Sequence, residues 1–221
     1  MTSIDPATAT EELRPIQSVG TTRIVHELAD LVELHDSECS SVVLRAGGVQ
    51  GLGEGDRTRL IESMRHPVHG EVGGDGEGIE RLAQSLDKLG CSPGVAAFLS
   101  HWTEVVCELT GASSCGVRLA RLTEQMCPLF HTDRVTVRLL VTWDGVTTEL
   151  ATAPGYSELI AERPELKETG DQGQVFRPEN GDMVLMKGEL WPGLRHGAAV
   201  HRSPVVPGES TRLMCTWDPL G

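Results

Sequence analysis

The chain has 221 residues, a length typical of one domain or of one domain with an appendage. Hydrophobic residues make up 39% of the chain, and 25 glycines bring the apolar share near the half that is normal for a soluble globular protein. The 19 basic residues are outnumbered by 32 acidic ones, which gives a formal net charge of −13. A charge of that sign repels phosphate backbones and anionic lipids, so we expect neither nucleic acid nor a membrane as a partner.

The cysteines and the N-terminus bear on the cellular compartment. Six cysteines are scattered along the chain without a C-x-x-C pair, which is unlike a disulfide framework or a zinc finger. No apolar run approaches the roughly 18 residues of a membrane-spanning helix. Residues 1–20 lack the basic and apolar regions of a secretion signal. We therefore expect a cytoplasmic protein with reduced thiols, most of them in the core.

The first third of the chain predicts few regular elements. Residues 1–20 lack apolar periodicity and are predicted to form a flexible tail. Apolar residues at helical spacing predict an amphipathic helix over 22–34, and residues 41–45 predict a short strand. Two glycine clusters follow, at 47–55 and 70–78. They match no phosphate-binding fingerprint and carry acidic residues, so we expect flexible loops.

Two helices are predicted before residue 111. Residues 79–89 carry one apolar face and end at Gly90, a residue that favours helix termination. Ser92 and Pro93 then form a typical start, with a capping residue followed by proline at the first helical position. The periodicity extends this second helix to about Thr110. Residues 21–111 are therefore predicted to be mainly helical, with glycine-rich loops.

The second half of the chain predicts a β core. Short runs rich in Val, Leu and Thr are separated by turn residues, as in a sandwich or barrel. A long loop or insertion is expected over 154–180 because of its prolines, glycines and acidic residues. The overall prediction is an α+β protein whose N-terminal helices pack on a β core at 112–221. The predicted strands are residues 117–122, 135–142, 183–186, 198–201 and 211–217.

A metal site is predicted from His131 and Asp133 in the triplet H-T-D. Side chains alternate along a strand, so these two point the same way and can bind one ion together. His201, on a later strand, is the best candidate for a third ligand. Two histidines and one carboxylate leave adjacent positions open on an octahedral metal, which suits the oxygen chemistry of Fe(II). The alternative is that His131 and Asp133 form an ordinary surface hydrogen bond.

Arg212 is predicted to bind a carboxylate beside this metal. A turn-forming segment separates it from His201. If the flanking strands fold back symmetrically about Val206 and Pro207, then His201 and Arg212 lie directly opposite each other, on one face. A guanidinium fork there could pair with one end of a dicarboxylate whose other end chelates the metal.

Cys127 offers a different metal chemistry. It stands four residues before His131, and a thiolate beside His131, Asp133 and His201 would favour tetrahedral Zn(II). A lone cysteine is more often a core residue. This alternative corresponds to a non-catalytic, cupin-like zinc-binding protein, and a metal-free barrel used for protein interaction is a third hypothesis.

Four further residues are candidates for substrate binding. Arg118 and Arg121 precede the H-T-D triplet on a predicted strand, and their opposite parity allows at most one to face the interior. Lys187 and Trp191 are expected at a strand exit near the mouth of the barrel. The partner would be a small molecule or a protein. The sequence indicates neither the substrate nor the oligomeric state.

The C-terminal half resembles a known superfamily. Residues 117–143, with H-T-D at their centre, and residues 181–217 look like the double-stranded β-helix, or jelly roll, of Fe(II)/2-oxoglutarate dioxygenases. The resemblance implies metal ligation by His131, Asp133 and His201. It also implies that Arg212 binds the far carboxylate of 2-oxoglutarate, and that the chain is a non-haem Fe(II), 2-oxoglutarate-dependent oxygenase.

A narrower resemblance covers most of the chain. The segments CPLFHTDRVTVRLLVTWDG, LMKGELWPG and HRSP look like the bacterial domain-of-unknown-function family eighteen-twenty-six, which implies no established activity. One departure concerns the co-substrate. In many relatives in the superfamily the strand after the triplet ends near an aromatic residue and an asparagine that hold it, whereas this strand ends Thr142-Trp143-Asp144-Gly145.

Overall fold

The computed structural model describes residues 15–45, 51–169 and 174–221. In these ranges the chain forms an eight-stranded and a three-stranded sheet, together with five α-helices and one 3-10 helix. The strands are β1 (Gln17–Val19), β2 (Thr22–Val25), β3 (Ser41–Leu44), β4 (Val68–Gly73), β5 (Ser114–Leu122), β6 (Val137–Asp144), β7 (Glu149–Ala151), β8 (Val175–Phe176), β9 (Met183–Lys187), β10 (Val200–Arg202) and β11 (Arg212–Leu220). The helices are the 3-10 helix Leu28–His35, α1 (Glu54–Ser63), α2 (Ile79–Lys88), α3 (Pro93–Thr110), α4 (Tyr156–Glu162) and α5 (Leu166–Thr169).

The large sheet has the strand order β1-β2-β3-β9-β6-β11-β5-β4, and the small sheet has the order β10-β7-β8. From β5 onward the chain passes repeatedly between them. Strands β5, β6, β9 and β11 lie in the large sheet, whereas β7, β8 and β10 form the small one. This mixed α and β architecture is compatible with the predicted jelly roll.

The large sheet buries different side chains on its two faces. One face packs against the helices in the main hydrophobic core, which includes Leu99 and Trp102 of α3 and Trp217 of β11. The other face turns towards the small sheet. A smaller apolar cluster there joins Leu140 and Met214 of the large sheet to neighbours from β7 and the approach to β10. We call the space between the two sheets the interior.

The prediction is confirmed for α2 and α3. Helix α3 begins with Ser92 at the N-cap and Pro93 at the first position, and it ends at Gly111, whose φ of 73° is readily adopted by glycine. Its buried residues recur at helical spacing, as the sequence indicates.

The prediction is wrong in part for the first third of the chain. Residues 22–25 form β2 rather than the start of a helix, because Thr22, Ile24 and Val25 are β-branched and bury themselves beside β3. Only Leu28–His35 is helical, as a 3-10 helix. The second glycine cluster is not simply a loop either, since β4 runs to Gly73 and pairs with β5.

Further elements lie where no regular structure was predicted. Strand β1 occupies the end of the predicted tail, and residues 1–14 lie outside the described residues, as does part of the first glycine cluster, at 46–50. Helix α1 follows that cluster. The predicted loop at 154–180 contains α4, α5 and β8. No helix in the described part of the chain is long and apolar enough to cross a membrane.

Candidate metal centre

The two predicted histidine ligands meet through their backbones. His131 and His201 form an antiparallel bridge in which each N–H donates to the other's carbonyl oxygen, at 3.0 and 2.9 Å. Their rings are 4.6 Å apart between centroids. Residues directly opposite in such a bridge project to the same side, which places both imidazoles in one site.

Asp133 completes the cluster. One of its carboxylate oxygens lies 3.3 Å from Nε2 of His201 and the other 3.6 Å from Nε2 of His131. One ligand atom from each of the three residues lies within 4.8 Å of the others, and no further group of this kind occurs in the described part of the chain. Two imidazoles and a carboxylate form a donor set suited to a divalent transition metal.

The loop that carries Asp133 is held by the end of β9. The backbone N–H of Gly188 donates to Thr136, and that of Glu189 donates to Asp133 itself, both at 2.9 Å. A Cβ atom at Gly188 would collide with the carbonyl oxygen of Val135. Both acceptors are backbone carbonyl oxygens. Glycine at this position therefore allows the close approach that holds the backbone of the loop carrying Asp133.

Hydrogen bonds prepare both histidines for ligation. Nδ1 of His131 lies 2.9 Å from the carbonyl oxygen of Leu129, and Nδ1 of His201 lies 3.3 Å from that of Ala199. With a metal bound, a proton on Nδ1 would leave the lone pair of Nε2 available for ligation. Burial and the charge of the neighbouring His201 also lower the pKa of His131, which favours the neutral, ligating form.

Asp133 is held as a carboxylate. Burial by itself would raise its pKa, but the hydrogen bond from His201 and the charges of His201, Arg138 and His131 outweigh this effect. The result is a pKa lowered from 3.8 to about 2. Asp133 is therefore ionised at neutral pH, as metal ligation requires.

Arg138 connects this ligand to the large sheet. Its Nη1 donates to Asp133 at 2.6 Å, while Nε and Nη2 bind both carboxylate oxygens of Asp218 on β11 at 2.7 and 2.8 Å. The guanidinium therefore links β6, β11 and the metal-binding loop with charge-assisted bonds. Asp133 is consequently fixed from one side, with its second oxygen directed towards His131.

Arg212 is buried in the interior without a carboxylate partner among the described residues. It is 2% exposed, and its Nη2 donates to Thr142 at 3.1 Å and to Thr148 at 2.5 Å. Its Nε has no hydrogen-bond partner in the described structure. Burial lowers the pKa of Arg212 to about 10. A buried cation of this kind is costly unless an anion binds to it.

The predicted hairpin between His201 and Arg212 is wrong, and the two residues do not lie opposite each other in one sheet. His201 lies opposite Leu150 in the small sheet, and Arg212 lies opposite Leu122 in the large sheet. The two strands face each other across the interior instead of pairing. Thr148, which binds Arg212, lies just before β7 and is two residues from Leu150, the residue opposite His201, so Thr148 and Leu150 are about 7 Å apart along the chain.

The packing of β5 shows which face of the large sheet carries Arg118 and which carries Arg121. Val117 and Leu119 lie in the helix-side core, so Arg118 between them faces the other side of the sheet. Arg121 faces the helix side, and its Nε is buried without a partner in the described structure. Cys127 is exposed, and its thiol is not among the clustered ligand atoms.

Lys187 and Trp191 lie away from the metal cluster. Lys187 is 1% exposed, and its Nζ donates to the backbone carbonyl of Asp36 at 2.7 Å, where the 3-10 helix ends. It also lies 5.3 Å from the ring centre of Trp191, which packs against the helix-side core. Burial lowers the pKa of Lys187. Both residues connect the 3-10 helix to the sheet.

Sequence reasoning missed three residues of the site, namely Arg138, Thr142 and Thr148. The first two could have been found from strand alternation, because Arg138, Leu140 and Thr142 share one face of a strand that follows the H-T-D triplet. Thr148 could not be found, because it lies in the loop before β7, and a strand of only three residues gives no periodic signal.

The fold and the cluster together define a protein of two facing sheets with a two-histidine, one-carboxylate site. The profile of the family described as "Protein of unknown function (DUF1826)" matches residues 74–218, which include all three clustered residues and Arg212. The chain belongs to this family. No curated protein matches it in sequence.

Several solved structures are similar to this chain. A candidate oxygenase from Shewanella oneidensis is 11% identical, with a TM-score of 0.50, and the match covers 92% of this chain and 90% of that one. The dioxygenase for auxin oxidation from rice is 15% identical, with a TM-score of 0.49, over 91% and 83% of the two chains. Its Arabidopsis thaliana counterpart, solved with 2-oxoglutarate, is 11% identical with a TM-score of 0.49, over 91% and 92%. At such identities the similarity concerns the fold alone.

Proposed function

We propose that this protein is a non-haem Fe(II)- and 2-oxoglutarate-dependent oxygenase built on a double-stranded β-helix. The observation that carries the proposal is the buried Arg212, whose Nε lacks a partner in the described structure and whose neighbours are two threonine hydroxyls. It faces the same interior as His201. A dicarboxylate that reaches from the metal to this guanidinium would compensate its charge.

The described residues fit both groups. His131, Asp133 and His201 would hold Fe(II) and leave three adjacent positions free. Arg212 would bind the far carboxylate of 2-oxoglutarate, with Thr142 and Thr148 orienting the guanidinium. Together with O₂, the bound iron and 2-oxoglutarate would supply the oxidation of a C–H bond, with succinate and CO₂ as co-products.

The other residues of the site contribute position and charge. Arg138 holds Asp133 by a bond to one oxygen, which limits rotation of the carboxylate when a metal binds. The β-bulge between Leu213 and Met214 shifts the register of β11 beside Arg212. A bulge redirects neighbouring side chains, and this one lies where Arg212 turns towards Thr142.

An anaerobic titration tests the proposal. Metal-free protein receives Fe(II) and then 2-oxoglutarate, while the visible metal-to-ligand charge-transfer band of the chelate is recorded. We expect saturation at one equivalent of each. In Arg212→Met we expect Fe(II) to bind as in the wild type, while the band appears only at about ten- to hundred-fold higher 2-oxoglutarate, because a charged hydrogen bond is lost.

Results that contradict these expectations would test the co-substrate site and the metal centre separately. Iron that binds without any band in the wild type would exclude 2-oxoglutarate as the co-substrate. Equal 2-oxoglutarate affinity in the wild type and Arg212→Met would refute the role of Arg212. A His131→Ala variant with unchanged iron stoichiometry would refute the metal centre.

A further inference from the structure

Arg118 is a cation that the proposed chemistry does not use. It is half-buried on β5 and faces the side of the large sheet that carries Arg138 and Arg212. Its one recorded side-chain contact is from Nη2 to the sulfur of Met126, at 3.9 Å. Arg118 takes part in none of the ion pairs of the described residues, although the chain carries 32 acidic residues.

Its position relates it to the metal cluster. Arg118 lies opposite Thr216 of β11, and Thr216 lies opposite Leu140 of β6, two residues beyond Arg138. Adjacent strands are about 4.8 Å apart, so the backbones of Arg118 and Leu140 are separated by about 10 Å. Leu140 shares its face of β6 with Arg138, which binds the ligand Asp133, so Arg118 lies two strands away from the residue that holds this ligand.

The charges of the site leave Arg118 uncompensated. Asp218 is nearby on β11 but is bound by both of its oxygens to Arg138. Asp133 is likewise bound to Arg138. In the proposed function 2-oxoglutarate would lie between the metal and Arg212, so neither of its carboxylates would be free for Arg118. On the side of β4, His69 lies directly opposite Arg118, and Glu71 shares that face but accepts a hydrogen bond from Ser114. Arg118 therefore has no ion pair among the described residues and can attract an anion.

We propose that Arg118 binds a carboxylate of the substrate, so that the enzyme acts on a carboxylic acid with an apolar body. This inference rests on the proposed function. A single planar guanidinium matches a single carboxylate, which it binds through two parallel hydrogen bonds. The apolar neighbours Met126, Ala120 and Leu122 favour a hydrocarbon body beside that group.

Lys167 is the competing candidate. It lines a cavity of about 490 Å³ beside His131, together with Glu158 and Glu189. These two carboxylates give that cavity an excess of negative charge, which disfavours an anionic ligand. Arg118 has no such competitor within 4 Å among the described residues and is the better carboxylate site.

The test compares a carboxylate with its uncharged analogue. Full-length metal-free protein is titrated with phenylacetate and with phenylacetamide, and binding is followed by calorimetry or ligand-observed NMR. We expect phenylacetate to bind more tightly than the amide. In Arg118→Gln we expect its affinity to fall about tenfold or more, and in Arg118→Lys to fall less, because the charge is kept but the fork is lost.

Two matched variants serve as controls. Arg121→Gln removes the same charge from the opposite face of β5, and Lys167→Gln removes the competing cation; both are expected to keep wild-type affinity. Thermal unfolding of each variant checks the fold, and Arg118→Lys carries the test if Arg118→Gln is unstable. Unchanged affinity in Arg118→Gln, a loss in Lys167→Gln, or no preference of the wild type for phenylacetate would overturn the proposal.

The titrations distinguish this inference from the proposed function. Suppose that phenylacetate binding depends on Arg118 but the protein forms no charge-transfer band with Fe(II) and 2-oxoglutarate. This result would support the carboxylate site and exclude the proposed oxygenase function. If the band forms normally and Arg118→Gln binds phenylacetate as tightly as the wild type, the proposed oxygenase function would stand and the carboxylate site would be excluded.

Discussion

The two faces of β11 differ in composition although they belong to one strand. Leu213, Cys215 and Trp217 face the helices and are each 0% exposed. Arg212 and Thr216 face the other way, towards the site. Because side chains alternate along a strand, the same nine residues build the apolar core and present polar groups for chemistry. Stability and function therefore depend on different residues of one element.

The largest effect on stability is expected from Trp217→Ala. Trp217 is fully buried against α3, and its Nε1 donates to the carbonyl oxygen of Leu99 at 3.2 Å. Removing a buried tryptophan costs about 3–5 kcal/mol of the free energy of unfolding. Urea unfolding measures this loss. The folded fraction should still bind one metal ion; a folded variant that binds none would show that the two faces are coupled.

A smaller, pH-dependent effect is expected from Asp133 in the metal-free protein. Its pKa falls from 3.8 to about 2 on folding, so its contribution is fully present above about pH 4 and is lost as the pH falls towards 2. A shift of this size corresponds to about 2 kcal/mol. Urea unfolding of the wild type and Asp133→Asn across this range measures it. If the free energy of unfolding changed equally with pH in the wild type and in Asp133→Asn, the prediction would be wrong.

Arg212→Met is expected to leave the free energy of unfolding unchanged or to raise it, in contrast to the loss expected from Trp217→Ala. The substitution removes an uncompensated buried charge and keeps much of the volume, so the metal-free protein should be as stable as the wild type or more stable, by up to about 2 kcal/mol. Thermal and urea unfolding measure the change. A loss of more than about 1 kcal/mol would indicate that the bonds to Thr142 and Thr148 outweigh the cost of burial.

The smallest effect is expected from Cys127→Ser. The thiol is exposed and lies outside the cluster of ligand atoms, so stability should change by less than about 0.5 kcal/mol and the metal stoichiometry should stay the same. Metal analysis of the purified variant checks the second point. Loss of a bound zinc ion would support the zinc-binding alternative to the oxygenase.

The sequence was informative where chemistry or periodicity is local. The H-T-D triplet identified His131 and Asp133 as a pair, but the strand alternation on which that prediction depended is absent, because His131 forms an isolated bridge and Asp133 lies on the loop that follows it. Helix α3 was predicted because capping residues and a repeated apolar face occur within one segment. The prediction of a helix at 22–34 was wrong at its start, because β-branched residues beside a partner strand favour β structure. The partner strand lies further along the chain and cannot be inferred from these residues alone.

The sequence by itself determined which residue types were available: two histidines, an aspartate and an arginine in a β-rich half. Only the tertiary structure decided how they meet. His201 pairs with His131 rather than with Arg212, and Arg138 binds both Asp133 and Asp218, which is 80 positions further along the chain than Arg138. Burial leaves Arg212 without a carboxylate partner among the described residues. These features depend on strand pairing between distant segments and on exclusion of water, which no local pattern of residues specifies.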